Sequence, residues 1–549
     1  MKLLIFIFLV SNLIAQTSKL DHLAPGKRDD GYRIWIYFDE RDQERFVNLD
    51  PASIKRRKKH GITELTKYDY NIKQHYLDAV KKTGVIIKNK SHWLNAVSVF
   101  ASKEHINLIQ NLPFVRKVEP VYQHKKKKAI QSVQNNNQNR NLDYGGSLAQ
   151  IEQINCHTAH EAGYYGQGVR VLYLDTGFNL DHTAFDSLNL VAEYDFINND
   201  QNTANETAQE VSDNQDDHGT ICLSPMAGYA PGNLIGPAFK SEYLLAKTEI
   251  MAEEIQQEED NYVAALEWGE ALGAEVMCAS LGYLDWYTYA DLDGNTAVTT
   301  IGIDIASSLG VICVNSAGNE GDDPWYYIIT PADADSVISV GAVLQSGIIA
   351  SFSSHGPTFD GRIKPEVCAL GVSTYCVRSN TQNDYRTASG TSFSAPLVAG
   401  AAAVILSANS SWTNMLVREA LMMTASQYSN PDNTYGYGII NTWEAINYQT
   451  TVSTENGTIV PKSVKVGQAF PNPFNPILSL TIECSSKEMI INTSVFDIRG
   501  NLVDQLYDGI ISNKKMHLLW NGDQHSNGIY IIRTRWAGGS HFQKVTLLK

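Results

Sequence analysis

The stretch Gly390-Thr391-Ser392-Phe393-Ser394-Ala395-Pro396 sets a hydroxyl at the threshold of a helix. From Pro396 the run Leu397-Val398-Ala399-Gly400-Ala401-Ala402-Ala403-Val404-Ile405-Leu406 is apolar on every face, which predicts a packed central helix rather than an amphipathic surface one. A serine there lies in the positive end of the helix dipole, beside backbone N–H groups that can hold a developing oxyanion. Pro396 fits a first helical turn, where no donor is needed from it. Ser392 is therefore a candidate nucleophile, and two partners stand upstream. The strand-like run Val169 to Leu174 ends at Asp175-Thr176-Gly177, placing a carboxylate at the carboxyl end of a strand, where open α/β sheets carry their chemistry. Asp216-Asp217-His218-Gly219-Thr220 then leads into a small apolar segment ending at Gly228. Carboxylate, imidazole and hydroxyl together let a serine shed its proton as it attacks a carbonyl.

Two more segments follow apolar strands: Ser280-Leu281-Gly282 after Val276 to Ala279, and Ser316-Ala317-Gly318-Asn319 after Val311 to Val314. The Asn319 amide can donate to an oxyanion, and the Ser280 segment offers backbone to an extended peptide. With these five motifs in this order, the chain resembles the subtilisin-like (subtilase) serine peptidases over roughly residues 145–448. The resemblance implies an α/β fold, a parallel sheet flanked by helices, and an endopeptidase acting on proteins or peptides with no required cofactor. It implies Asp175, His218 and Ser392 as the catalytic triad, Asn319 as the oxyanion donor, and Ser280, Leu281 and Gly282 as substrate-binding residues. Two features depart from the family pattern. Ile221-Cys222 stands where a second histidine commonly follows, and the loop Asn198 to Gln215 is long and polar. The aromatic stretch Tyr283 to Tyr289 fits either substrate subsites or an insertion packed on the domain's own surface.

Around this region the composition divides the chain. Residues 1–15 read as a signal peptide, with one lysine, a short apolar core and a small residue at its end. No other stretch is apolar for about 18 residues without interruption, so no transmembrane helix is expected. Residues 16–141 carry 25 lysines and arginines against 13 aspartates and glutamates, a balance of +12, whereas residues 142–450 carry 8 against 39, a balance of −31. The basic segment thus has an acidic partner on its own chain, and nucleic acid is not needed to explain it. Its pattern, a strand at 33–38, helix at 76–82, strands at 84–88 and 93–100, helix at 104–112 and strand at 115–121, is βαββαβ and fits a ferredoxin-like module. By the resemblance this is a propeptide that acts as an intramolecular inhibitor until it is cut away. Lys125 to Lys128 and Gln131 to Asn141 form a polar linker ahead of the peptidase domain at 142–449.

Beyond it, residues 460–549 hold strand-like runs at 478–483, 490–496, 518–520, 529–535 and 543–548 with turn signals between them, which predicts a small β-sandwich. The start Pro471-Asn472-Pro473-Phe474-Asn475-Pro476, the run Val495 to Gly500, Asn527-Gly528-Ile529-Tyr530 and the end Lys544 to Lys549 resemble the C-terminal sorting domain read by type IX secretion machinery. That implies a protein secreted or held at a bacterial surface; a carbohydrate- or protein-binding sandwich has similar strands. Many subtilases bind structural calcium, and Asp213, Asp216 and Asp217 could contribute oxygens or favour a helix start, so calcium stays unplaced and no metal ligand is named. Glu253-Glu254 with Glu258-Glu259-Asp260 reads as a solvated helix face. Among the seven cysteines, Cys368 and Cys376 are near enough in sequence to pair in an exported protein, and the odd count leaves at least one thiol free.

Overall fold

The computed structural model describes residues 21–28, 31–121, 123–124, 142–252, 254–255, 257–449, 464–467, 469–484, 489–497, 502–511, 515–536 and 539–549. The leader, the lysine run and the turn at 499–501 lie outside the described residues. Two compact units meet at Tyr448 and Gln449 in the chain.

In the first unit the βαββαβ order appears as expected. Strand β1 (Gly31–Phe38) is central, pairing antiparallel with β3 (Ala96–Ala101) and β4 (Val115–Pro120), and β2 (Ile86–Ser91) extends the sheet beyond β3. Helices α2 (Gln74–Lys82) and α3 (Lys103–Gln110) place Tyr76, Leu77, Val80, Ile106 and Ile109 against Ile34, Ile36 and Phe38 on one sheet face. One further helix, α1 (Pro51–Lys59), was not foreseen. Asp50 caps it by accepting from Ala52 N at 2.8 Å, and Pro51 supplies its preset first turn.

The region that follows is built on a sheet of seven strands: β5 (Arg170–Asp175), β6 (Asn189–Asp195), β7 (Glu242–Lys247), β8 (Val276–Ala279), β9 (Ile312–Ser316), β10 (Ile338–Val343) and β11 (Val367–Leu370). They lie in the order β6-β7-β5-β8-β9-β10-β11 with all neighbours parallel. Nearly continuous apolar runs fit strands covered on both faces. The chain steps outward from β5 on one side, returns, and continues on the other, so the carboxyl end of β5 is the switch point where such sheets place ligands. Around them pack α4 (Ala208–Asp213), α5 (Asp217–Ala227), α6 (Gln257–Ala271), α7 (Val298–Ser308) and α8 (Thr391–Ala408). By length and composition α8 could cross a membrane, but Thr391 through Leu406 are all buried in the domain, which makes it the core helix.

The acidic start of α6 is not a solvated face. Glu258, Glu259 and Asp260 are buried because α6 is covered from two sides. The aromatic stretch supplies Trp286 Nε1 and Tyr287 OH to Glu259, at 3.2 and 2.7 Å, and Ile250 N donates to Glu258 at 2.7 Å. The N-terminal sheet covers the other side: Asp260 lies under Trp35 and Ser98, and Glu267 accepts from Trp93 N at 3.2 Å and from Ser91 Oγ at 2.5 Å. Arg56 and Arg57 of α1 both reach Glu270, Arg57 at 2.7 Å, while Lys59 pairs with Glu275 at 2.9 Å. Three cations of the basic segment thus meet particular acids of its own chain.

The second unit, taken by itself, is a two-sheet sandwich. Val464–Val466, Ile477–Cys484 and Lys515–Asn521 form one sheet, and Leu502–Ile511, Met489–Asp497, Gly528–Trp536 and Gly539–Leu547 form the other. Leu478, Leu480, Ile482 and Trp520 from the first meet Ile491, Val495, Ile532 and Val545 from the second. The strand Leu502–Ile511 was not foreseen. It lies at a sheet edge, where Asp504 and Asp508 replace a clean apolar alternation. All seven cysteines are free and buried. Cys368 and Cys376 do not pair because Cys368 Sγ faces Tyr435 O at 3.5 Å and Cys376 Sγ faces Arg386 O at 3.6 Å.

Candidate active site

Asp175 closes β5 with its side chain fully buried. Its Oδ1 accepts from Thr176 N at 2.8 Å and lies 2.7 Å from His218 Nδ1. His218 is the second residue of α5, and its neighbour explains the short motif. A Cβ on Gly219 would stand 2.2 Å from Gly177 O and 3.0 Å from Asp175 Cβ, so only glycine lets the helix start rest on the strand end. Gly219 N donates to Thr176 Oγ1 at 3.1 Å, and Asn179 N donates to Thr220 Oγ1 at 2.7 Å. The two threonines that follow Asp175 and Gly219 therefore stitch the two motifs together. Donation from Nδ1 to the carboxylate leaves Nε2 as the basic nitrogen.

One turn further along α5, Cys222 Sγ sits 3.6 Å from His218 Nε2. Burial pushes this thiol well above its ordinary range, with the charge of Asp175 adding to the effect, so Cys222 is a neutral neighbour and not a competing thiolate.

Ser392 is buried near the start of α8, with Oγ donating to Ser280 O at 3.3 Å. Here the sequence expectation for Pro396 fails. The helix begins at Thr391, so Pro396 lies inside it and removes the N–H that would have bonded to Ser392 O. Ser280 Oγ fills that place, donating to Ser392 O at 2.8 Å, while Tyr173 OH stands 3.0 Å from Ser280 Oγ. Since Ser280 spends its one proton on Ser392, Tyr173 is the donor to Ser280. Asn319, after β9, accepts from Thr391 N and Oγ1 through its Oδ1, at 2.8 and 3.1 Å, and Gly318 N donates to Thr391 Oγ1 at 3.2 Å. With Oδ1 committed to the helix start, the Nδ2 amide is what Asn319 presents to a ligand. Leu281 O accepts from Asn315 Nδ2 at 2.8 Å, which fixes the Ser280 segment against the end of β9.

The acidic loop before His218 has a different organisation from a shared cation site made by Asp213, Asp216 and Asp217. Asp216 accepts from Asn205 Nδ2 at 2.9 Å, Asp217 lies 3.3 Å from Arg386, and Asp213 accepts from Gln209 Nε2 at 2.9 Å. Asp217 opens α5, as a helix-start residue would. The carboxylates that do converge, Asp195 and Glu210, meet the buried Lys247 Nζ at 2.8 and 2.6 Å. Glu210 is lowered to about 2: burial alone would raise it, but Lys247 and the N–H groups of Glu206 and Thr207 outweigh that. Asp200 and Glu206 lie near Asp195, whose charge the lysine already meets, and no metal ligand set is assigned. Of the aromatic stretch, Tyr283 is fully buried and donates to Glu249 at 2.6 Å, so with Trp286 and Tyr287 it packs on the domain's own acids.

Comparison with known proteins matches residues 166–438 to the subtilase family, 33–140 to the peptidase S8 propeptide domain of Bacteroidota, and 468–547 to a secretion system C-terminal sorting domain. Subtilisin amylosacchariticus of Bacillus subtilis subsp. amylosacchariticus is 30% identical over 366 residues, covering 66% of this chain and 84% of its own. Subtilisin of Bacillus pumilus is 31% identical over 293 residues, covering 53% of this chain and 95% of its own. The sorting domain makes the protein one that is secreted or displayed at the cell surface through the type IX route. The chain belongs to the subtilase family and is a serine-type endopeptidase, made as a secreted zymogen with its propeptide ahead of the peptidase domain.

Proposed function

We propose that Ser392 is the nucleophile, His218 the general base and acid, Asp175 the group that orients and stabilises the imidazole, and Asn319 the oxyanion donor. The observation that carries this is the 2.7 Å contact from His218 Nδ1 to a fully buried Asp175 carboxylate, which makes Nε2 the basic nitrogen for proton transfer. Ser392 Oγ adds to the peptide carbonyl and gives its proton to His218 Nε2. The carbonyl oxygen becomes an oxyanion held by Asn319 Nδ2 and the N–H groups at the start of α8. Collapse breaks the C–N bond, the amine leaves with the proton from His218, and an ester on Ser392 remains. Water then repeats the sequence and releases the acid. Ser280, Leu281 and Gly282 pair with the substrate backbone, so extended segments of proteins are the substrate class.

The same reading makes residues 16–141 an inhibitor in place. Gln123–His124 forms an antiparallel pair with Glu254–Ile255, the segment that follows β7, as an extended substrate would. Cleavage within about 122–145 then separates it from the mature domain at 142–449. The full-length protein and its Ser392→Ala variant, incubated and followed by mass spectrometry, test this. The wild type is expected to shorten within that linker and digest denatured casein. The variant is expected to stay intact and lose about 10⁶-fold in turnover. A variant that still cuts casein would assign the nucleophile elsewhere.

A further inference from the structure

We propose that Ile329 closes the slot that receives the substrate side chain at the attacked carbonyl, so that this peptidase cuts after glycine, alanine or serine and rejects large residues. The inference rests on the reading of Ser392 and Asn319 above. A carbonyl attacked by Ser392, with its oxygen toward Asn319, belongs to a residue flanked by two chain segments. One is Ser280–Gly282, leaving β8; the other is Ser316–Asn319, leaving β9, the next strand in the sheet. That residue's side chain must enter the gap between them.

The floor of the gap is the segment Ile329–Thr330, and it is bonded to both walls. Ile329 N donates to Ala317 O at 3.1 Å, Thr330 N to Tyr283 O at 3.1 Å, and Tyr283 N to Thr330 O at 2.8 Å. From this floor the Ile329 side chain rises into the gap. A Cβ placed on Gly282 would lie 2.5 Å from its Cδ1, and one placed on Gly318 would lie 3.0 Å from its Cγ1. The same side chain therefore reaches both backbone walls and fills the width between them. It is half-buried, whereas its neighbour Ile328 is fully buried in the domain, as befits a residue lining a cleft. Because the floor is hydrogen-bonded on both sides, its backbone cannot sink to deepen the slot without breaking those bonds, and the β-branched Ile329 side chain is stiff about χ1. The glycines of the walls leave room for a methyl or hydroxymethyl group above it.

The test uses the full-length protein left to process itself, with active sites counted by a fluorophosphonate on Ser392. Rates are read on succinyl-Ala-Ala-Pro-X-p-nitroanilide with X as Ala, Leu or Phe, and cut sites in denatured casein by mass spectrometry. The wild type is expected to favour Ala over Phe in kcat/KM by at least about tenfold, and casein cuts to follow small residues. Ile329→Gly is expected to raise the Phe rate relative to Ala by at least about tenfold, with Ile329→Ala in between. A labelled wild type that prefers Phe overturns the proposal, as does an Ile329→Gly enzyme with an unchanged ratio. Should the glycine variant not fold, the wild-type profile and Ile329→Ala decide alone. A wild type that hydrolyses nothing and leaves Ser392 unlabelled overturns the underlying site reading, and this proposal with it.

Discussion

Asn319 uses the two ends of one amide for two purposes, and they can be separated. Its oxygen ties the loop after β9 to Thr391, and in the proposed mechanism its nitrogen donates where negative charge develops. Asn319→Ala removes both, so kcat should fall about 10²–10³-fold and the melting temperature should fall as well. Asn319→Asp keeps an oxygen for Thr391 but presents no N–H, so kcat should fall at least as far while most of the melting temperature is retained. Steady-state kinetics and thermal melting on the same samples distinguish the two, and a variant aspartate with near wild-type kcat would remove Asn319 from the chemistry.

Among elements, the loop between β6 and α5 depends on a single buried ammonium. Lys247→Met would leave Asp195 and Glu210 facing each other without it, a loss of about 3–5 kcal/mol for a broken buried pair. The melting temperature should drop by about 10 °C, and activity should fall through a displaced His218, since the loop ends at α5. Differential scanning calorimetry of the processed enzyme checks this. The sequence revealed elements of this kind unevenly. Asp175, His218, Asn319 and Ser392 could be picked out because each lies in a short motif whose neighbours are fixed by local geometry, as Gly219 is by Gly177. Three of the parallel strands, β5, β8 and β9, were visible as apolar runs ahead of the motifs. Lys247, Arg56 and Asp260 were not, because their partners lie far along the chain and nothing in a local window marks a charge as buried. The helix α1 that carries Arg56 and Arg57 was not foreseen either: Asp50-Pro51 is a helix-start pair, but the run of lysines and arginines after it has no apolar period and reads as surface. Pro396 misled for the opposite reason: its lost bond is replaced from Ser280, a residue that no helical rule could supply.

Over the whole molecule, the contact between propeptide and peptidase should respond to pH. Burial under Trp35 and Ser98 pushes Asp260 up to about 7, although Ser98, Arg33 and Trp35 each pull it back down. Once the propeptide leaves, the carboxyl meets water and its value returns toward about 3.9. Separation then releases a proton, so the contribution of Asp260 to the complex is greatest below about pH 4, weakens by up to about tenfold per pH unit toward pH 7, and changes little above it. His92 beside Glu267, the two arginines on Glu270 and Lys59 on Glu275 surround this group with ion pairs. Retention of the cleaved propeptide on the mature domain, measured by size-exclusion chromatography from pH 4 to pH 9, should show that slope, and Asp260→Asn should flatten it. A wild-type complex equally tight across the range would contradict the burial argument.

The core helix carries a consequence for timing. Ser392 has its carbonyl held by a hydroxyl from β8's end and its neighbour Thr391 held by a loop from β9, and the helix is buried in the domain from Thr391 to Leu406. Asp175, His218 and Ser392 stand far apart along the chain, so none can be positioned by local structure. A half-folded chain therefore carries no half-active protease. Activity is then a property of the completed fold, and no fragment of the chain that lacks one of these segments carries it.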